Sequence, residues 1–219
     1  MKRALLCFTR LPVPGRTKTR LMPLLTGEEC AALHTAFLRD IAEVCGGLDA
    51  ALYAAYSPEG DWTALRGLFP TAQGFFPQSG AGLGERMHHA LTTVLALGYD
   101  ACVLIGSDLP ELTAGHLTAA FSALESAEVT LGPTADGGYY LLGLRKPFAA
   151  LFTGQTYGHA SVYEDAVAAV RAAGRSFLPA PPCRDVDVPE DLRRLLETAR
   201  PSSHTARLLT DLRLEGRLK

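Results

Sequence analysis

The stretch Ala4-Leu5-Leu6-Cys7-Phe8-Thr9 runs directly into Arg10-Leu11-Pro12-Val13-Pro14-Gly15-Arg16-Thr17-Lys18-Thr19-Arg20-Leu21. A short apolar run followed by prolines, a glycine and cations predicts a buried strand that opens into a shaped loop. Four cationic side chains (Arg10, Arg16, Lys18, Arg20) fall within 11 residues of that loop. Arginine offers paired donors to phosphate oxygens, and lysine a mobile point charge. Gly15 allows close backbone approach to a phosphate. The G-x-x-x-x-G-K-[ST] pattern of a P-loop is absent, so the phosphate-binding reading rests on position and charge. A solvated basic loop is the alternative.

The charge of the whole chain sharpens this. The sequence has 219 residues, with 21 Lys+Arg against 23 Asp+Glu and a formal net charge of −2. Six of the basic residues lie between Met1 and Gly27, where there is no acidic residue. The positive charge is therefore local, which points to a small anionic partner and away from a nucleic acid. Hydrophobic residues make up 47%, which excludes general disorder. The length suits one domain over residues 1–219, with a helical tail from about residue 200.

The five cysteines (Cys7, Cys30, Cys45, Cys102, Cys183) have no C-x-x-C spacing, and most sit in apolar surroundings. They read as buried free thiols in a cytoplasmic protein. The start resembles a secretory signal only briefly, because Arg10 and Pro12 end its apolar run. No segment approaches 18 apolar residues, so no membrane span is expected.

Beyond the first loop, short apolar runs alternate with helical patterns. Strands are expected at Ala50–Tyr56, Gly74–Phe76, Ala101–Ile105, Glu128–Gly132, Tyr139–Leu144 and near Phe177. Helices are expected at Thr26–Val44, from Ser57-Pro58, and at Gly84–Leu97, Thr113–Leu124, Ser161–Ala173 and Val188–Ala199. This alternation predicts an α/β fold with a mostly parallel sheet flanked by helices. Ligands of such sheets gather at the carboxyl ends of the strands.

Four further segments are candidates for chemistry. In Ile105-Gly106-Ser107-Asp108-Leu109-Pro110, Asp108 ends an apolar strand where a carboxylate can hold a divalent ion; a capping aspartate is the alternative. Gln78-Ser79-Gly80-Ala81-Gly82-Leu83-Gly84 leads into a helix, whose N-terminus favours anions. Thr134-Ala135-Asp136-Gly137-Gly138-Tyr139 is a turn signal between two strands, and equally a pocket wall. In Asp185-Val186-Asp187-Val188-Pro189-Glu190, the spacing of Asp187 and Glu190 is that of a helix cap, with a second metal ligand as its rival. The histidines show no ligand spacing: His88 and His89 share a helix without a partner, and His34, His116, His159 and His204 are isolated.

Taken together, Arg10-x-Pro12-x-Pro14-Gly15-x-x-Lys18-Thr19-Arg20-Leu21, Leu83-Gly84-Glu85-Arg86-Met87, Gly106-Ser107-Asp108-Leu109-Pro110, Asp136-Gly137-Gly138-Tyr139-Tyr140 and Asp185-Val186-Asp187-x-Pro189-Glu190-Asp191-Leu192 resemble the nucleotide-diphospho-sugar transferase superfamily. The nearer likeness is to its bacterial branch of arsenosugar-biosynthesis-type glycosyltransferases, grouped under a domain of unknown function. The resemblance implies a Rossmann-like fold with a mixed sheet. It implies that Arg10, Gly15, Lys18 and Arg20 hold nucleotide phosphates, and that Gln78, Gly82 and Gly84 face the base or ribose. By the same likeness Asp108 and Asp187 bind Mg²⁺ or Mn²⁺, while Gly137, Gly138 and Tyr139 line the sugar or acceptor side. Lys18, Asp108 and Asp136 become the candidate catalytic residues.

Two features depart from the sugar transferases. The metal strand has one aspartate where a D-x-D pair is common, and Gln155-Thr156-Tyr157-Gly158-His159 stands where relatives have tryptophan before Ser or Thr. The single aspartate also resembles the nucleotidyltransferases of the superfamily, including phospholactate guanylyltransferase. The expected function is a metal-dependent glycosyltransferase using a nucleotide-activated sugar and a small acceptor. Its alternatives are a nucleotidyltransferase joining an NTP to a phosphorylated small molecule, and a non-catalytic nucleotide-binding protein.

Overall fold

A computed structural model describes residues 1–217. In chain order its elements are β1 (Arg3–Thr9), α1 (Gly27–Gly46), β2 (Ala51–Tyr56), α2 (Ala64–Leu68), β3 (Gly74–Pro77), α3 (Leu83–Leu95), β4 (Ala101–Ile105), α4 (Ala114–Ser126), β5 (Val129–Pro133), β6 (Tyr139–Leu144), α5 (Val162–Ala172), β7 (Phe177–Pro179), α6 (Pro189–Thr198), α7 (His204–Asp211) and α8 (Leu214–Arg217). The expected tail therefore contains α7 and α8, and its last two residues lie outside the described residues. Among the described residues, no helix is long and apolar enough to cross a membrane.

The seven strands form one mixed sheet in the order β3-β2-β1-β4-β6-β5-β7. Strands β1 to β4 pair in parallel, while β6 runs antiparallel to both β4 and β5. This is the α/β, Rossmann-like arrangement expected. The chain leaves β1 for β2 on one side and returns to β4 on the other. That reversal opens a crevice between the carboxyl ends of β1 and β4, the usual ligand position in such sheets.

Side chains of a strand alternate between faces, and β1 shows it: Leu5 and Cys7 join the core under α1 and α4, while Ala4 and Leu6 join the core under α3 and α5. All of β4 is buried, as a central strand covered on both faces must be. Helix α1 is anchored at its start by Thr26, whose hydroxyl accepts from Glu29 N while the Glu29 carboxylate accepts from Thr26 N. Its outer face, through Leu33 and Phe37, forms a third cluster with Val186, Leu192, Leu209 and Leu214. The C-terminal helices are thus packed onto the helix that follows the basic loop.

Two local expectations are corrected. Ser57-Pro58 opens no helix, and the short helix starts only at Ala64. Ser57 is engaged elsewhere: its N–H donates to Thr9 O, and its hydroxyl accepts from Leu11 N. The cap before α6 is also shifted by one residue. Asp191, not Glu190, accepts from the backbone N–H of both Asp187 and Val188. Asp187 is thereby released from capping.

Candidate functional site

The loop after β1 folds back on itself. Thr17 Oγ1 donates to Leu11 O at 2.6 Å and accepts from Val13 N, and Arg16 N donates to Val13 O. The fold-back ends at Lys18, whose backbone is left-handed (φ 55°, ψ 35°). That conformation costs a non-glycine residue about 1–2 kcal/mol. It turns the Lys18 side chain inward, where it is only 3% exposed.

The buried ammonium finds three oxygens. Lys18 Nζ lies 2.6 Å from Asp108 Oδ1, 3.3 Å from Asp187 Oδ1, and donates to the Val186 carbonyl. A buried ammonium needs such neutralisation to remain charged. It also lies 5.6 Å from the centre of the Phe37 ring. Arg20 reaches Asp187 Oδ2 at 3.5 Å and is 74% exposed, so its guanidinium is largely free for another partner.

Asp108 follows β4, and its backbone carbonyl accepts from Val186 N, which ties the two aspartate-bearing segments together. Its side chain is 39% exposed and faces a cavity. Burial would raise its pKa, but the attraction of neighbouring cations, Lys18 foremost, outweighs that and holds the carboxyl below its usual range. Burial and the neighbouring Asp136, with lesser repulsion from Asp187 and Asp191, push the Asp185 carboxyl up to about 6.

The cavity has a volume of about 780 Å³, within the usual range for small-ligand sites. Arg10, Lys18, Arg20, Gln78, Gly82, Asp108, Tyr139 and Asp187 line it together, although they come from separate parts of the chain. Gln78 Nε2 donates to the carbonyls of Thr9 and Ala55, so this amide also fastens the ends of β1 and β2. Helix α3 begins beside the cavity after a turn that needs Gly80: its φ is +139°, and a Cβ there would stand 2.8 Å from Arg86 N.

Other expected site residues are placed elsewhere. Gly15 is exposed and supports the loop from outside, against Gly27. Gly84 packs under Tyr157, whose hydroxyl would lie 2.8 Å from an added Cβ. Asp136, Gly137 and Gly138 form the turn joining β5 to β6. The Asp136 carboxylate accepts from Thr134 Oγ1 and Gly138 N, and the Thr134 bond leads in holding its carboxyl below the usual range. None of these five residues lines the cavity.

A second cavity, of about 380 Å³, is lined by Tyr99, Asp100, Glu128, Arg145 and Lys146. It lies at the opposite end of the sheet, where β4 and β5 begin and β6 ends.

A profile of bacterial proteins described as uncharacterized and conserved (DUF2064) matches residues 25–159. The chain belongs to the DUF2064 family. No curated protein matches its sequence. A provisionally assigned nucleotide-diphospho-sugar transferase from Desulfovibrio desulfuricans G20 is 33% identical, with a TM-score of 0.89, and the match covers 100% of this chain and 97% of that one. A cytidylyltransferase from Leptospira borgpetersenii serovar Hardjo-bovis (strain JB197) is 14% identical, with a TM-score of 0.58 over 100% of this chain and 96% of its own. The Mycobacterium tuberculosis H37Rv protein Rv0371c, solved with manganese, is 19% identical, with a TM-score of 0.51 over 90% of this chain and 100% of its own. The superfamily resemblance read from the sequence is thus met by both family and fold.

The DUF2064 match includes one cavity residue that sequence reasoning set aside. His34, on α1, is 1% exposed and lines the cavity. Its Nε2 lies 3.2 Å from Thr9 Oγ1 and 3.1 Å from Arg10 O, and its Nδ1 lies 3.6 Å from Asp108 Oδ1. Burial lowers its pKa, against the opposing pull of Asp108, and Lys18 adds to the lowering. In sequence His34 sits between buried Leu33 and Phe37 and looks like one more residue of an apolar stripe. Only the topology brings it to Asp108.

A second acidic group in this DUF2064 chain, Asp40, Glu43 and His204, has ligand atoms within 4.8 Å of one another. Its geometry is explained without an ion. Asp40 accepts from His204 N, Thr205 N and Thr205 Oγ1, and Glu43 Oε1 meets His204 Nε2 at 3.0 Å. The trio fastens α7 to α1.

Proposed function

We propose that this chain is a divalent-metal-dependent transferase that moves a glycosyl group from a nucleoside-diphosphate sugar to a small acceptor. One observation carries the reading. The Lys18 ammonium and the carboxylates of Asp108 and Asp187 meet in one cavity, with Arg10 and Arg20 on its lining. Cations and carboxylates so arranged suit a diphosphate and its counter-ion together. The provisional assignment of the Desulfovibrio relative supports the sugar-donor version.

The donor set fits Mg²⁺ or Mn²⁺. Asp108 and Asp187 present hard carboxylate oxygens, and the Lys18 ammonium between them already stands in for a cation. Such an ion, when bound, neutralises the charge that develops on the departing nucleoside diphosphate. Arg10 and Arg20 would orient the phosphate oxygens. Gln78 and Gly82 would face the base or ribose, and Tyr139 the sugar. Asp136 has its carboxylate engaged in the hairpin turn, so no proton transfer is assigned to it.

A second reading is nucleotidyl transfer, in which a phosphorylated acceptor attacks the α-phosphate of an NTP and releases pyrophosphate. The single aspartate of Ser107-Asp108-Leu109 favours it, and the shared fold of the Leptospira cytidylyltransferase is compatible with it. The same cations and carboxylates would serve.

Thermal unfolding with NTPs, NDPs and NDP-sugars, each with and without Mg²⁺ or Mn²⁺, tests both. A ligand at 100 times its Kd stabilises by about 2.7 kcal/mol, which raises Tm by about 5–10 °C. Absence of any shift at millimolar nucleotide would overturn both readings. Among active preparations, nucleoside diphosphate release supports the first and pyrophosphate release the second. A nucleotide shift without turnover on any acceptor would leave a binding protein only.

A further inference from the structure

His34 has one nitrogen accounted for and one that is not. Nε2 faces the Arg10 carbonyl, which can only accept, and the Thr9 hydroxyl, whose proton already goes to that same carbonyl at 2.7 Å. These partners assign the N–H to Nε2. In the neutral imidazole, the form that can bind an ion, Nδ1 is then a bare lone pair. It is buried, has no hydrogen-bond partner, and points at Asp108 Oδ1 from 3.6 Å. Two acceptors face each other there, and a buried acceptor left unpaired costs about 1–3 kcal/mol. An electron-pair acceptor between them would remove that cost.

We infer that His34 Nδ1 is a ligand of the divalent cation held by Asp108, so that the site is a mixed imidazole and carboxylate centre. This rests on the metal-dependent reading above. Two donors bound to one ion at about 2.1 Å each stand about 3.0–3.4 Å apart, so the observed 3.6 Å needs only a few tenths of an ångström of adjustment. The imidazole is already fixed in orientation by its Nε2 partner, as metal-binding histidines commonly are. Asp108 Oδ1 also faces Lys18 Nζ at 2.6 Å, so ammonium and metal ion are alternative partners for one oxygen. Because Mg²⁺ dehydrates reluctantly and keeps oxygen ligands, whereas Mn²⁺ gives up water to a nitrogen donor more readily, the centre should prefer Mn²⁺ to Mg²⁺.

The test is direct Mn²⁺ binding to the full chain, followed by electron paramagnetic resonance, with pulsed detection of nitrogen coupled to the ion. The expected result for the natural protein is imidazole nitrogen coupling. In His34→Gln the amide Nε2 can keep the bond to Arg10 O while the Nδ1 donor is gone. That variant should lose the nitrogen coupling and bind Mn²⁺ about tenfold or more weakly, with a smaller change for Mg²⁺. Asp108→Asn separates the two levels. If it abolishes Mn²⁺ binding but the natural protein shows no nitrogen coupling, the His34 assignment is overturned and the Asp108 site stands. If Asp108→Asn leaves Mn²⁺ binding unchanged, both fall. Nitrogen coupling that persists in His34→Gln also overturns the assignment. The coupling in the natural protein is read without any variant, so poor folding of His34→Gln does not remove the test.

Discussion

Lys18 Nζ and Asp108 Oδ1 meet at 2.6 Å across the crevice between β1 and β4. The pair joins the basic loop to the strand end, and each group is set up by different chemistry. Lys18 is turned inward by a left-handed backbone, and Asp108 is kept ionised by the surrounding cations. Lys18→Ala should therefore weaken all phosphate-bearing ligands by about ten- to a hundredfold, the scale of one lost charge-assisted hydrogen bond. Asp108→Asn should instead spare metal-independent binding and remove the metal-dependent part of any thermal shift. A titration of one nucleotide into both variants, with and without Mn²⁺, checks the contrast. An unchanged metal-dependent shift in Asp108→Asn would sink the assignment.

Gly137 should tolerate no side chain. Its φ is +87°, and a Cβ would stand 1.8 Å from the Ala160 carbonyl oxygen, which is fixed backbone. Gly15 has a similar φ of +71° but open space around the added atom. Gly137→Ala combines left-handed strain with overpacking and should cost about 2–5 kcal/mol. Gly15→Ala has the strain alone and should cost about 1–2 kcal/mol. At about 2–4 °C per kcal/mol, the two separate clearly in a thermal scan. Equal losses would mean that the hairpin turn does not rest on the segment before α5.

Much of this architecture was legible in the residues, for physical reasons. Ala101–Ile105 is apolar throughout because β4 is covered on both faces, so its limits were read without error. Thr26 and Glu29 announced the start of α1 through their own hydrogen bonds. What the sequence concealed were long-range partners. Ser57-Pro58 has the local form of a helix start, yet Ser57 is spent on Thr9 and Leu11. Asp187 has the spacing of a cap, yet Asp191 one position on from Glu190 does that work and leaves Asp187 to Lys18. His34 lies 74 residues from Asp108 in sequence, and no local pattern marks their 3.6 Å approach.

The thiols give a probe of opening. Cys7, Cys30, Cys45, Cys102 and Cys183 are all buried and unpaired. Burial pushes the Cys45 thiol up to about 12 and that of Cys183 up to about 11, and raises those of Cys7, Cys30 and Cys102 as well. The thiolate is the reactive form, so the native protein at pH 8 should react with a thiol reagent only as fast as it opens. Full reaction should appear in denaturant. Rapid modification of any cysteine in the native protein, read by mass spectrometry, would place that thiol in a segment that opens locally.

Asp40 should fasten the C-terminal helices without a metal. Its carboxylate is buried and already accepts three hydrogen bonds from the first residues of α7. Asp40→Ala leaves the Thr205 hydroxyl and two backbone N–H groups short of their partner. At about 1–3 kcal/mol for a buried group so stranded, the expected total is about 2–4 kcal/mol and a Tm lower by about 5–15 °C. A chelator should leave the Tm of the natural protein unaffected at this site, because the donors of α7 already engage the Asp40 carboxylate. The two manipulations together decide the matter. If chelator lowers Tm in the natural protein but not in Asp40→Ala, the trio Asp40, Glu43 and His204 is a structural metal site. If only the substitution destabilises, the trio is a helix anchor, and metal chemistry is left to the cavity between β1 and β4.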